Sequence, residues 1–191
     1  MTTSADFGPN VSRAVRFAEA FRAVDMQVVH VATWSAKPPT LKYLAGTITK
    51  LCNGWIYPIL SVIILLRWGV FGIRIIVSAL ATAALLHSVY PSLKRYFLRA
   101  RPFEADSSLK SPFAPLDLYS FPSGHTMTMT GVFVPIVAYW PAILPATLVM
   151  GCGLAWSRLA TAHHYPSDVL AGAALGIAVG YPVAACFTWL W

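Results

Sequence analysis

The sequence predicts an all-α integral membrane protein: a helical bundle of about five transmembrane helices, with an N-terminal amphipathic helix lying in the membrane interface. Three observations lead there. Hydrophobic residues make up 57% of the 191 positions and charged residues only 11%, well under the roughly 25% charged residues of soluble domains. Five apolar stretches meet or approach the roughly 17–25 residues that cross a bilayer as a helix. No polar linker, internal repeat or low-complexity tract interrupts the chain, so a single domain is expected over 1–191, an interfacial segment at 1–48 preceding a bundle at 49–191.

From the N-terminus, the first ten residues lack the basic-then-apolar pattern of a signal peptide, so no processing is expected. Residues 11–32 are too charged to span. At about 100° per residue, however, Phe17, Phe21, Val24 and Val28 share one side, while Arg13, Arg16, Glu19 and Arg22 fall mainly elsewhere, the pattern of a helix lying in the interface. The candidate spans follow at 49–66, 70–90, 123–140, 142–158 and 168–190, the third and fourth joined by a tight reversal at Trp140-Pro141. The last carries Gly172, Gly176 and Gly180 at four-residue spacing, which allows close helix packing in lipid. Between the second and third spans lies the one long polar connection, about 91–121, of a length usually functional or disordered.

Charge and cysteine usage narrow the classes. The net charge of +7 comes from 14 basic against 7 acidic residues, and the basic residues gather near span ends, where they meet lipid headgroups or a phosphorylated substrate. No Lys/Arg tract interleaved with aromatics points to nucleic acid. Cys52, Cys152 and Cys186 lack metal-ligand spacing.

Three constellations carry the chemistry. Lys94 and Arg101 are seven residues apart, about two helical turns, so a continuing helix puts both cations on one face and Pro102 then ends it. Alone, such a cluster reads as a topology signal. In Phe121-Pro122-Ser123-Gly124-His125, proline suits the first helical turn, and the free N–H groups of a helix start form an anion site. Glycine there lets an oxyanion approach, Ser123 offers a hydroxyl, and His125 stands where it can give or take a proton. Alone, this is also a simple helix start. Third, Pro166 opens the last span, so Asp168 in that turn reaches back toward His164, fixing its tautomer and leaving a neutral nucleophile. Ser157 and Arg158 add a hydroxyl and a forked cation from the preceding span, and His163 reads as a structural neighbour. The topology sends all three constellations to one membrane side, and charges at membrane depth are functional by default.

Together, Lys94-x6-Arg101-Pro102, Pro122-Ser123-Gly124-His125 and Ser157-Arg158-x5-His164-x3-Asp168 resemble the three-part signature of the type 2 phosphatidic acid phosphatase family, which includes the vanadium haloperoxidases. Every signature position matches. The resemblance implies that His164 forms a phosphohistidine oriented by Asp168, and that His125 protonates the leaving oxygen and then activates water. It implies that Lys94, Arg101, Ser123, Gly124 and Arg158 cradle the phosphate, with no metal or other cofactor. Membrane members of the family are mostly described with six spans, whereas only two precede the first motif here. With D-L-Y-S-F-P-S-G-H, this layout looks like the polyisoprenoid diphosphate phosphatase branch.

The expectation is therefore a membrane hydrolase acting on the terminal phosphate of a lipid phosphate or polyprenyl diphosphate. The alternatives are vanadium-dependent halide oxidation and a non-catalytic binder of anionic lipid. The expected setting is the cell inner membrane. The positive-inside rule, counting Lys37, Lys42, Lys50, Arg95, Arg99 and Lys110 against Arg67 and Arg74, places the active face in the cytoplasm.

Overall fold

A computed structural model of the chain describes residues 13–189, so the segment read as lacking a signal peptide, the first residues of the interfacial segment and residue 190 of the last predicted span lie outside the described residues. Eight helices occur among them: α1 (Arg13–Ser35), α2 (Pro39–Lys50), α3 (Ile56–Trp68), α4 (Gly72–Phe97), α5 (Pro102–Ala105), α6 (Gly124–Tyr139), α7 (Leu144–Ala160) and α8 (Pro166–Trp189). There is no strand among the described residues, as the composition predicted.

The five predicted spans correspond to α3, α4, α6, α7 and α8. Among the described residues, three helical stretches are long and apolar enough to cross a membrane by length and composition: Pro39–Ala105, Pro141–Ala160 and Pro166–Thr188. The first is folded on itself. Gly69, with φ 56° and ψ −134°, takes a backbone conformation open essentially to glycine and reverses the chain between α3 and α4. A side chain at Gly72 would meet the Ile64 carbonyl at 2.9 Å, so the hairpin closes tightly. A second hairpin joins α6 to α7 through a short 3₁₀ turn, Pro141–Ile143. The two hairpin tips meet: the Trp68 and Trp140 rings pack edge-on at 5.0 Å, with the Arg67 guanidinium over both.

The opposite end collects the last turn of α4 and α7 and the first turn of α6 and α8, which carries every signature residue to one side. α6 lies between α4 and α8, and its contact with α8 is set by the glycine stripe. A Cβ on Gly172 would fall 2.5 Å from the Ser123 carbonyl, on Gly176 2.0 Å from Thr130 Oγ1, and on Gly180 2.8 Å from the Gly131 carbonyl. The stripe is thus a helix-packing face. Buried Ile64, Ile75, Ala79, Val132 and Ile136 form the core shared by α3, α4 and α6.

Upstream the structure departs from expectation. Residues 39–50 form α2, packed on α7, and a π turn at Leu51–Trp55 joins it to α3, so the bundle takes in part of the segment assigned to the interface. Residues 91–97, expected in the polar connection, continue α4 through Pro91. α1 leaves Phe17, Phe21, Val24 and Val28 exposed and buries only Asp25, Val29 and Ala32.

Candidate active site

Lys94 and Arg101 converge, but not along a helix. α4 stops at Phe97 because Leu98 turns left-handed, φ 48°, and Arg101 is extended ahead of α5. A residue to which the sequence assigns no role by itself gathers them. Asp117, in the irregular stretch before α6, accepts Lys94 Nζ at 2.6 Å and an Arg101 N–H on Oδ1, and Tyr90 Oη at 2.6 Å on Oδ2. Both cations also donate to the Tyr119 carbonyl, and Arg101 Nη1 to the His163 carbonyl at 2.7 Å. Lys94 is 4% exposed and Arg101 1%. Burial pushes the Asp117 carboxyl up, but the hydrogen bonds from Lys94 and Tyr90 and the nearby charges outweigh it and hold the group below its ordinary value.

Ser123 sits at the cap position of α6, with Gly124 and His125 as its first two residues. The Ser123 N–H donates to the Asp168 carbonyl at 3.0 Å, tying the start of α6 to the start of α8. Its hydroxyl lies 3.1 Å from Thr126 Oγ1. A Cβ at Gly124 would stand 2.6 Å from Tyr90 Oη, so any side chain there displaces the Tyr90 ring. His125 Nε2 is buried without a hydrogen-bond partner.

Arg158 is in the last turn of α7, and its carbonyl accepts the His163 and His164 N–H groups at 3.2 and 3.3 Å, folding the loop back under the arginine. Its Nη1 is 3.4 Å from Thr49 Oγ1, and its Nε is buried and unpartnered. Ser157, expected to add a hydroxyl to the site, turns away: its Oγ donates to the Ala45 carbonyl at 2.6 Å and so binds α7 to α2. His163 is the structural neighbour the sequence indicated. Its Nε2 lies 2.7 Å from Ser111 Oγ and 2.9 Å from the Phe113 carbonyl, pinning the loop. Burial and the Arg158 charge lower its pKa to about 4.

His164 is 2% exposed and Asp168 fully buried. Asp168 Oδ2 accepts the Tyr165 N–H at 2.9 Å and stands 3.6 Å from His164 Nδ1, too far for a hydrogen bond. His164 Nδ1 has no hydrogen-bond partner. Burial, then Arg158, Arg101 and Lys94, hold His164 well below 6.5, so the ring is neutral at pH 7. Asp168 Oδ1 accepts Arg99 Nη1 at 2.6 Å. Arg99, counted as a topology charge from sequence, is instead enclosed between carboxylates.

The site opens on an apolar cleft of about 550 Å³ between α3, α4 and α6, running from His125, Tyr90 and Asp117 to Ile64 and Ile136. Among the described residues no group of three or more His, Cys, Asp or Glu side chains is placed to hold a metal ion.

The chain is similar to known proteins. The chain is 36% identical over 88 residues to a lipid A 1-phosphatase of Rhizobium johnstonii, a match spanning 44% of this chain and only 36% of that relative's length. It is 34% identical over 134 residues to a decaprenylphosphoryl-5-phosphoribose phosphatase of Mycobacterium tuberculosis, covering 68% of this chain and 69% of that protein. The crystal structure of a transmembrane PAP2-type phosphatidylglycerolphosphate phosphatase from Bacillus subtilis superposes with a TM-score of 0.66 at 25% identity, covering 90% of this chain and 88% of that one. Aquifex aeolicus LpxE shares the fold, with a TM-score of 0.69 at 21% identity over 85% of this chain and 95% of that one. Residues 72–191 match the PAP2 superfamily, and the chain belongs to it.

Proposed function

We propose that this chain is a metal-independent membrane phosphatase that removes the terminal phosphate of a lipid phosphate or a polyprenyl diphosphate through a phosphohistidine. The observation that carries the reading is a pair of buried polar atoms without partners, His125 Nε2 and Arg158 Nε, in a site with buried Lys94, Arg101 and His164, where His125 also lines an apolar cleft. Orphaned buried polar groups are costly, and a phosphate among three cations supplies acceptors for their donors. Lys94, Arg101, Arg158 and the Ser123-Gly124 helix start bind the phosphoryl oxygens, and with that much positive charge stabilisation the transition state needs no metal.

In this mechanism the neutral His164 attacks phosphorus as the bond to the lipid oxygen breaks, and His125 gives that oxygen its proton. His125 then takes a proton from water, whose oxygen displaces His164 from phosphorus and releases inorganic phosphate. Asp168 stabilises the positive ring formed in the first step.

The cleft supports a lipid substrate. From His125 to Ile136 it follows twelve residues of α6, about 16 Å over the steps between them at 1.5 Å each, a path into the bundle for an apolar chain. The polyprenyl-linked and lipid A substrates named for the relatives fit this class, and the layout upstream of the first motif favours the polyprenyl branch. α1 lies in the interface with Phe17, Phe21, Val24 and Val28 toward lipid. The site faces the cytoplasm across an inner membrane: with Arg99 removed from the count, Lys37, Lys42, Lys50, Arg95 and Lys110 remain exposed at the active end, against Arg67 and Arg74 at the other.

Phosphate release from purified protein, with chelator present, over prenyl diphosphates, diacyl phosphates, phosphatidylglycerol phosphate and phosphorylated lipid A tests the proposal. Turnover abolished by His164→Ala is the expected result. Halide oxidation with vanadate and peroxide, or lipid binding without turnover in the wild-type protein, would overturn it.

A further inference from the structure

α1 lies wholly before the residues that match the family, yet it buries a carboxylate beside the site. Asp25 sits in an apolar run, Val24 to Ala32 broken by few polar residues, and is 4% exposed. A buried carboxylate is costly unless it is paired and hydrogen-bonded, and Asp25 is paired with two residues next to Asp168. Its Oδ2 accepts Arg99 Nη2 at 2.7 Å and the Ser167 hydroxyl; its Oδ1 accepts the Ser167 N–H at 3.0 Å. Ser167 is the second residue of α8, so Asp25 takes up a free N–H at that helix start, where the helix dipole favours an anion.

Arg99 completes the connection. Its Nη1 donates to Asp168 Oδ1 at 2.6 Å and to Ser167 Oγ at 2.6 Å, while Nη2 is held by Asp25. The guanidinium lies over the Tyr165 ring, 3.9 Å from its centroid. The fork is fixed at both prongs and on its face. That leaves Asp168 Oδ2 turned to the Tyr165 N–H and His164 Nδ1.

We infer that Asp25 and Arg99 are positioning residues for phosphoryl transfer: Asp25 holds Arg99, Arg99 holds Asp168, and Asp168 faces the Nδ1 edge of the His164 ring, where the positive charge forms as the ring attacks. The inference rests on the proposed role of His164 and extends the working site to a helix outside the signature. Without the Asp25 charge, Arg99 loses the counter-ion that fixes one prong, and its charge falls on Asp168 alone, weakening that carboxylate as the partner of the His164 ring. Lysine at position 99 keeps the charge but cannot bridge two carboxylates with a planar fork. A displacement of about 1 Å at a reacting group costs on the order of 100-fold in rate.

The test uses the full chain, purified in detergent, with a prenyl diphosphate and a soluble aryl phosphate. Asp25→Asn and Arg99→Lys are compared with wild type in steady state and in single turnover with enzyme in excess. Positioning predicts a single-turnover rate constant lower by about 10- to 100-fold at full amplitude, on both substrates, with KM within about twofold. The double variant should be little worse than the slower single one, because the two residues act in series. A role in folding alone gives the opposite signature, a wild-type rate constant at reduced amplitude, and would overturn the inference. So would unimpaired turnover in the milder Arg99→Lys, should Asp25→Asn fail to fold. Wild-type protein inactive on every lipid phosphate would overturn the proposed function together with this inference; active wild type with unimpaired variants overturns this inference alone.

Discussion

Asp117→Asn removes one negative charge from the cation cluster while preserving its shape. The asparagine oxygen still accepts from Lys94 and Arg101, and its amide nitrogen faces Tyr90 Oη, which accepts in turn. The loss is the charge on two charge-assisted bonds. Lys94 and Arg101 remain charged, so each bond stays charge-assisted but falls from the upper toward the lower end of the roughly 1.5–3 kcal/mol range for such bonds, a difference of about 2–3 kcal/mol over the two. The side chain of Asp117 is one-third exposed, which moves the expected value to the lower end, about 2 kcal/mol. For a chain of this length that corresponds to a fall in Tm of roughly 4–8 °C. Anions should reverse the effect. Phosphate at 100 times its Kd stabilises a protein by about 2.7 kcal/mol, and in the wild type part of that gain is offset by displacing the Asp117 carboxylate from Lys94 and Arg101. Thermal unfolding in detergent across a phosphate titration should show Asp117→Asn less stable without phosphate and more strongly stabilised by it. An unchanged Tm without phosphate, or equal stabilisation of both proteins, would refute the reasoning.

Gly176→Ala places a Cβ 2.0 Å from Thr130 Oγ1 and 2.5 Å from the Met127 carbonyl; because backbone cannot yield, we expect a loss of about 1–3 kcal/mol or more in unfolding measurements, whereas Gly151→Ala, with nothing within 4 Å, should be neutral or stabilising. His163 is neutral when folded, with a pKa of about 4 against about 6.5 unfolded. Its contribution is therefore intact above pH 6.5 and lost as pH falls toward 4, by about 3 kcal/mol in all, and His163→Gln should flatten that part of the stability profile. Chelator should leave phosphate release unchanged; activity lost with chelator and restored by a divalent ion would contradict the charge arrangement proposed for the site.

Much of the site was legible because its residues stand at element ends that sequence marks clearly. Pro166 and Pro122-Ser123 announce the starts of α8 and α6, and the alternation of spans then forces His164, His125, Arg158 and Lys94 to one end. The convergence of Lys94 and Arg101 was anticipated for a mistaken reason: helical period suggested a shared face, whereas Leu98 ends α4 and Asp117 draws the two together. Local pattern does not reveal which carboxylate a cation will find across a loop. Ser157 turns from the site for a similar cause, since only the packing of α2 on α7 supplies the Ala45 carbonyl that accepts its hydrogen bond. Arg99 reads as a membrane-flanking charge until Asp25 and Asp168 are seen on its two prongs. Asp25 did leave a trace: it falls on one helical face with Val29 and Ala32, where an acid is costly without a partner, but the partner comes from more than seventy residues away.

The central claim is that phosphorus passes through His164 with His125 as acid and then base, and one measurement addresses it most directly. His125→Ala protein is incubated with a labelled prenyl diphosphate or aryl phosphate, whose weakly basic leaving groups depart with little protonation, while hydrolysis of the phosphohistidine stalls without its base. The account predicts an acid-labile label that accumulates on His164 and is absent from the His125→Ala/His164→Ala double variant. Bound substrate with no label on His164 from either compound would contradict it.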